Sequence, residues 1–266
     1  MKNLIIYPSF LCPFSCQFCI HKDKLSSNDL LDLSNIDLIL PSIIDKIDNI
    51  IISGGEPMNL NKSYFDNLIN KLKTFNKSIT VESYAYDIKN YRDDIEYNLS
   101  YDFMARSRAM EVWNNLLTFP KKFNLTITLS PLLFKYHPNN LLKKLSVLPN
   151  LTSVEFIPYF KNKNSEFDIT KNDCLTTFNK LILSSKLNIP FKLKNKEKII
   201  SKLLNNNIDD ENIFMFPNGE LKYQEFDGDI LKYKNYTESS NLKLNYPENT
   251  YLYSDEILAW FKNNDN

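Results

Sequence analysis

Short apolar runs and helix-periodic stretches alternate along most of this chain, and that alternation limits the fold more than any other feature. Residues 3–8, 49–53, 78–84, 97–103, 123–130 and 152–158 read as buried strands, each bounded by proline, glycine or polar residues. Between the first two, Ile36, Ile39, Leu40, Ile43, Ile44 and Ile47 keep helical spacing, with Pro41 predicting a kink or a break. Tyr64, Phe65, Leu68, Ile69, Leu72 and Phe75 trace a second helical face. Further helices are expected over 107–119, with Met110, Trp113 and Leu117 as the apolar stripe, over 138–147 behind Pro138, and over 171–185. Strands alternating with helices favour parallel βα units, and six of them suit an α/β fold, a partial, TIM-like (β/α)6 barrel over residues 1–193.

The first strand runs straight into LCPFSCQFCIHK, which places Cys12, Cys16 and Cys19 within eight residues, spaced Cys-x3-Cys-x2-Cys. Three thiolates on one loop can hold three irons of a [4Fe-4S] cluster and leave the fourth iron open to a bound molecule. A structural zinc site is the rival reading, with His21 or Cys174 as fourth ligand, although zinc motifs usually pair Cys-x2-Cys with a distant second pair. A disulfide framework fits poorly, because four cysteines in 266 residues fall far below the density of small secreted domains and the start lacks a signal-peptide pattern. Cys174 falls on the apolar face of the 171–185 helix with Phe178, Leu181 and Ile182, the position of a core residue rather than a ligand. In barrels of this kind the loops at the carboxyl ends of the strands carry the chemistry, so the cysteines would sit at the mouth.

The second strand ends on Gly54-Gly55-Glu56-Pro57. A glycine pair there allows close backbone approach to a ligand, and the proline fixes the exit of the turn. The cysteine spacing, Phe18 just before the last cysteine and this GGEP turn together resemble the radical S-adenosylmethionine (radical SAM) superfamily. The resemblance implies a [4Fe-4S] cluster on Cys12, Cys16 and Cys19 whose open iron is chelated by the methionyl amine and carboxylate of S-adenosylmethionine. It further implies an electron donor such as flavodoxin or ferredoxin, and reductive cleavage of the cofactor to a 5'-deoxyadenosyl radical that abstracts hydrogen from a substrate. Phe18 would border the adenine, and Gly54, Gly55, Glu56 and Pro57 would line the methionyl end.

Strand ends supply the remaining candidates for cofactor binding. Glu82 and Ser83 close the third strand, Ser100 the fourth, and Ile157 the sixth. Arg106 follows the fourth strand in a chain with only three arginines, where a planar, two-pronged donor suits a carboxylate better than lysine does. Ion pairing of Arg106 and Arg108 with Asp102 or Glu111 is the alternative.

Residues 194–266 read as a small α+β extension: a helical stretch at 195–206, two β-rich runs around Pro217-Asn218-Gly219, and a final helix at 254–263. In outline it is similar to the SPASM or Twitch extensions of radical SAM enzymes, yet no cysteine follows Cys174, so the usual ligands of an auxiliary cluster are missing. The hairpin favours a peptide or protein substrate. Zero formal net charge and small size favour a metabolite or nucleoside, and an activating enzyme for a glycyl radical partner is a third option. That neutrality also argues against a broad nucleic-acid surface. With no run of 18 apolar residues, a soluble cytoplasmic protein is expected.

Overall fold

The computed structural model describes residues 2–16, 19, 21–24, 29–102, 108–129, 133, 138–158, 189–193, 211–227, 230–240 and 242. Expectations for Phe18, Arg106, Cys174 and the helices at 171–185, 195–206 and 254–263 lie outside the described residues.

Strands β1 (Lys2–Ile6), β2 (Asn49–Ile52), β3 (Ser78–Ser83), β4 (Glu96–Ser100), β5 (Phe123–Leu129), β6 (Leu151–Pro158) and β7 (Lys192–Leu193) lie side by side in chain order, every neighbouring pair parallel. Helix α1 (Ser34–Ile43) falls between β1 and β2, α2 (Lys62–Lys73) between β2 and β3, α3 (Ala109–Thr118) between β4 and β5, and α4 (Pro138–Leu145) between β5 and β6. The six expected strands are therefore present, most of them a residue or two shorter at one end.

One face of each strand shares a core with the helices. Leu4, Ile6, Ile50, Ile52, Val81, Leu99, Leu125, Ile127 and Val154 are almost completely buried there, together with Ile36 and Leu40 of α1 and Phe65, Leu68, Ile69 and Leu72 of α2. Each such aliphatic side chain contributes about 1.5–3 kcal/mol. Asn61 caps α2 by accepting from the Tyr64 backbone N–H. At Pro41 the first helix loses a backbone donor, and three residues later it tightens into a 3₁₀ turn over Ile44–Lys46. The stripe expected on α3 is rotated: Val112, Trp113 and Leu116 are buried, while Met110 is 69% exposed. Residues 110, 113, 117 and residues 112, 113, 116 are both helix-compatible sets, and packing against the sheet selects the second.

The sheet continues on the other side of β1. Strand β8 (Glu211–Met215) pairs with β1 in parallel, Lys2 opposite Glu211 through Ile6 opposite Met215. Strands β9 (Leu221–Asp227) and β10 (Ile230–Asn235) extend it antiparallel, giving the order β10-β9-β8-β1-β2-β3-β4-β5-β6-β7. The hairpin expected around Pro217-Asn218-Gly219 joins β8 to β9, with Gly219 at a φ of +82° that a side chain would resist.

Candidate active site at the carboxyl ends of the strands

Behind β1 the chain does not swing away but zips onto the turn that follows β2. Ser53 N–H donates to Ile6 O at 2.9 Å, Gly55 N–H to Ser9 O at 3.0 Å, and Glu56 N–H to Leu11 O at 3.1 Å. The glycines make this approach possible. A Cβ on Gly55 would stand 2.2 Å from Leu11 O and 2.6 Å from two backbone carbons of Phe10 and Leu11, and one on Gly54, at φ +117°, would stand 2.7 Å from Ser9 O. The space that two side chains would need is filled by the backbone of the cysteine loop.

Glu56 fixes the far side of the same turn. Its carboxylate is buried and accepts from Ser83 Oγ at 2.6 Å, Met58 N–H at 3.0 Å and Tyr84 N–H at 2.8 Å. Ser83 Oγ accepts in turn from Ala85 N–H at 3.0 Å. Pro57 opens a buried 3₁₀ turn capped by Glu56. Glu56 and Ser83 are thus engaged with each other and with backbone, tying the β2 turn to the end of β3. Beyond that end, Asn115 on α3 donates to the carbonyls of Ala85 and Tyr86, holding Ala85 at a φ of +53°.

The cysteine loop lies between these supports. Cys16 is buried and Cys12 and Cys19 half-buried, all three outside any disulfide, and Phe14 packs edge-on against Tyr84 and Tyr86. Burial pushes the Cys12 thiol up to about 12; a backbone hydrogen bond at Phe14 opposes the rise, and the charges of Glu56, Cys16 and Cys19 add to it. Cys12 by itself therefore resists becoming a thiolate, and a positively charged iron beside it would supply the missing compensation. Among the described residues no three histidine, cysteine or carboxylate side chains converge as ligands of one metal ion. The donors of a cubane have a different task, each thiolate binding its own iron.

His21, the candidate fourth zinc ligand, is occupied elsewhere. Its ring is buried among Tyr7, Phe10 and Tyr233, and burial, helped by the charge of Lys24, pulls its pKa down to about 3.

No protein-family model matches the sequence, and no curated protein matches it. Solved structures do match. SuiB from Streptococcus suis, bound to S-adenosylmethionine, aligns with a TM-score of 0.60 at 16% identity, over 82% of this chain and 59% of SuiB; its complex with the precursor peptide SuiA gives 0.61. The enzyme anSMEcpe, bound to S-adenosylmethionine and the Cp18Cys peptide, aligns with a TM-score of 0.61 at 11% identity, over 83% of this chain and 73% of that one. The chain has the fold of the radical SAM enzymes. It spans about three fifths of the length of SuiB.

In this radical SAM fold the candidates divide by face. Glu82 and Ser100 project from the face opposite the helix-packed core, where register aligns Glu82 with Asn98, Asn98 with Asn124, and Ser100 with Thr126. Thr126 Oγ1 donates to Asn98 Oδ1 at 3.0 Å, and Glu155 of β6 lies opposite Thr126. Ser83 belongs to the other, buried face, and Ile157 is placed on β6 with its side chain outside the described residues. Asp102, just past β4, is buried and accepts from Thr128 N–H at 2.9 Å. The polar residues Thr80, Asn98, Thr126 and Glu155 of this face were missed from sequence, although they are visible as every second residue of their strands.

Proposed function

We propose that the chain is a radical SAM enzyme in which Cys12, Cys16 and Cys19 hold a [4Fe-4S] cluster and S-adenosylmethionine binds at the same rim of the sheet. The observation that carries this reading is the junction of the two loops: the three-cysteine loop and the GGEP turn are joined backbone to backbone at the carboxyl ends of adjacent parallel strands. Cluster and cofactor together would supply a reducing electron and radical chemistry able to remove a hydrogen atom from a substrate. The chain's own part is to hold the cysteine loop against Gly54 and Gly55, to brace that junction through Glu56 and Ser83, and to offer Glu82 and Ser100 to the polar groups of a ligand. Phe18 beside the adenine and Arg106 on a carboxylate belong to the same proposal, as does a division into a barrel at 1–193 and an extension at 194–266.

A peptide or protein side chain is the substrate class we favour, because SuiB and anSMEcpe have both been captured with peptides. The buried, aromatic setting of His21 weighs against the zinc scaffold. Anaerobically reconstituted protein should carry about four irons per chain. After reduction with S-adenosylmethionine present, deuterium should pass from a labelled peptide to 5'-deoxyadenosine. A colourless, iron-free product would end the enzyme reading, and cofactor cleavage without transfer from any peptide would end the peptide assignment.

A further inference from the structure

His21 joins the cysteine loop to the far end of the chain. Its backbone N–H donates to Cys19 Sγ at 3.4 Å. Its ring, only 6% exposed, meets Tyr7 edge-on and Phe10 at a tilt, each at 4.8 Å, and stacks on Tyr233 at 5.8 Å with 25° between the planes. Tyr233 belongs to β10, the last described strand of the extension, and is itself held from two sides. Its hydroxyl shares a 3.0 Å hydrogen bond with that of Tyr7, and its ring stands edge-on to Phe214 and Phe216. A continuous set of contacts therefore runs from β10 through the His21 ring to a donor aimed at a cysteine sulfur.

We propose that Tyr233 is a positioning residue for the cysteine loop: stacked on His21, it keeps that residue's N–H on Cys19 Sγ and so raises the reduction potential of the cluster held there. The effect on potential rests on the radical SAM reading given above; the clamp itself does not. A reduced cluster carries one more negative charge than an oxidised one, so its sulfurs accept hydrogen bonds more strongly, and a fixed N–H dipole favours reduction. The surrounding shell, rather than the ligands alone, then sets how readily the electron is accepted. Residues 194–266, which include no cysteine, would in this way act on a cluster held by the cysteine loop.

Two variants of the full chain separate this role from mere packing. Tyr233→Leu removes the stacked ring, whereas Tyr233→Phe keeps the ring and removes only the hydroxyl shared with Tyr7. In potentiometric titrations of reconstituted protein followed by electron paramagnetic resonance, the Leu variant should show a more negative midpoint. The expected shift is on the order of 59 mV, the equivalent of a tenfold change for a one-electron couple, and the Phe variant should match wild type. A Leu variant with full iron content and a wild-type midpoint would overturn the proposal. Amide hydrogen exchange in the cluster-free chain tests the clamp whatever the iron content of the variants. His21 N–H should exchange roughly tenfold faster in Tyr233→Leu than in wild type or Tyr233→Phe, and equal protection in all three would refute the clamp. Wild-type protein that takes up no iron would refute the functional reading and with it the effect on potential, while the exchange result would still decide whether Tyr233 holds the loop.

Discussion

Replacing Gly55 with alanine adds one methyl group at the point where the two loops join, and its cost can be worked from distances. The new Cβ would stand 2.2 Å from Leu11 O, against the ~3.5 Å or more of an unstrained contact, so the cysteine loop and the GGEP turn must separate by roughly 1 Å. That separation strains or breaks the bonds from Gly55 N–H to Ser9 O and from Glu56 N–H to Leu11 O, each contributing about 1 kcal/mol net. Overpacking adds about 1–3 kcal/mol, for a total near 3–5 kcal/mol. At about 2–4 °C per kcal/mol for a domain of this size, the melting temperature should fall by roughly 6–20 °C. Thermal unfolding of the cluster-free chain followed by circular dichroism reads the first quantity. Iron bound after reconstitution reads the second, and it should fall in parallel, because the displaced strand of backbone carries Cys12. An alanine variant that melts with wild type and binds iron normally would refute the claim that the glycines are there to admit the cysteine loop.

Glu56→Gln replaces an acceptor-only group serving three donors by one that must turn an amide toward a backbone N–H; a loss of about 1–3 kcal/mol in urea unfolding is expected. Asn115→Ala orphans the carbonyls of Ala85 and Tyr86 and should cost about 1–2 kcal/mol, with faster amide exchange across residues 84–87. Hydrogen bonds from Arg92 and then from Lys73 hold the Asp94 carboxyl well below the usual range. A depressed carboxylate stabilises the fold above its unfolded pKa of about 3.9 and loses that contribution as pH falls. Acid unfolding should therefore be shallower in Asp94→Asn over the range just below pH 4, and identical profiles would show that the cluster of Arg92, Lys73 and Asp94 is solvated and inert.

The run of parallel strands β1 to β6 and their helices was legible because its information is local. Apolar runs such as Ile50–Ile52 and the helical repeat of Phe65, Leu68, Ile69 and Leu72 mark buried faces whatever lies opposite. The choice between Met110 and Val112 was not legible, since it depends on where the sheet lies relative to α3. The motif Gly54-Gly55 was visible, but not that Phe10 and Leu11 fill the space above it, a contact between segments more than 40 residues apart that neither segment encodes alone. For the same reason the hairpin at Pro217-Asn218-Gly219 could be read from its turn residues, while the parallel pairing of β8 with β1 could not.

That pairing has a consequence for how the chain is made. Strand β1 emerges from the ribosome well before one of its two neighbours, β8, which lies about 200 residues later. At about 5–20 residues per second, β1 waits roughly 10–40 s with one row of backbone donors and acceptors open. An apolar edge exposed for that long invites pairing with the wrong strand, in the same chain or another. Chains halted before residue 211 should therefore be held by chaperones or lost to aggregation, and completion of β8 should mark the step at which the nascent protein becomes safe to release.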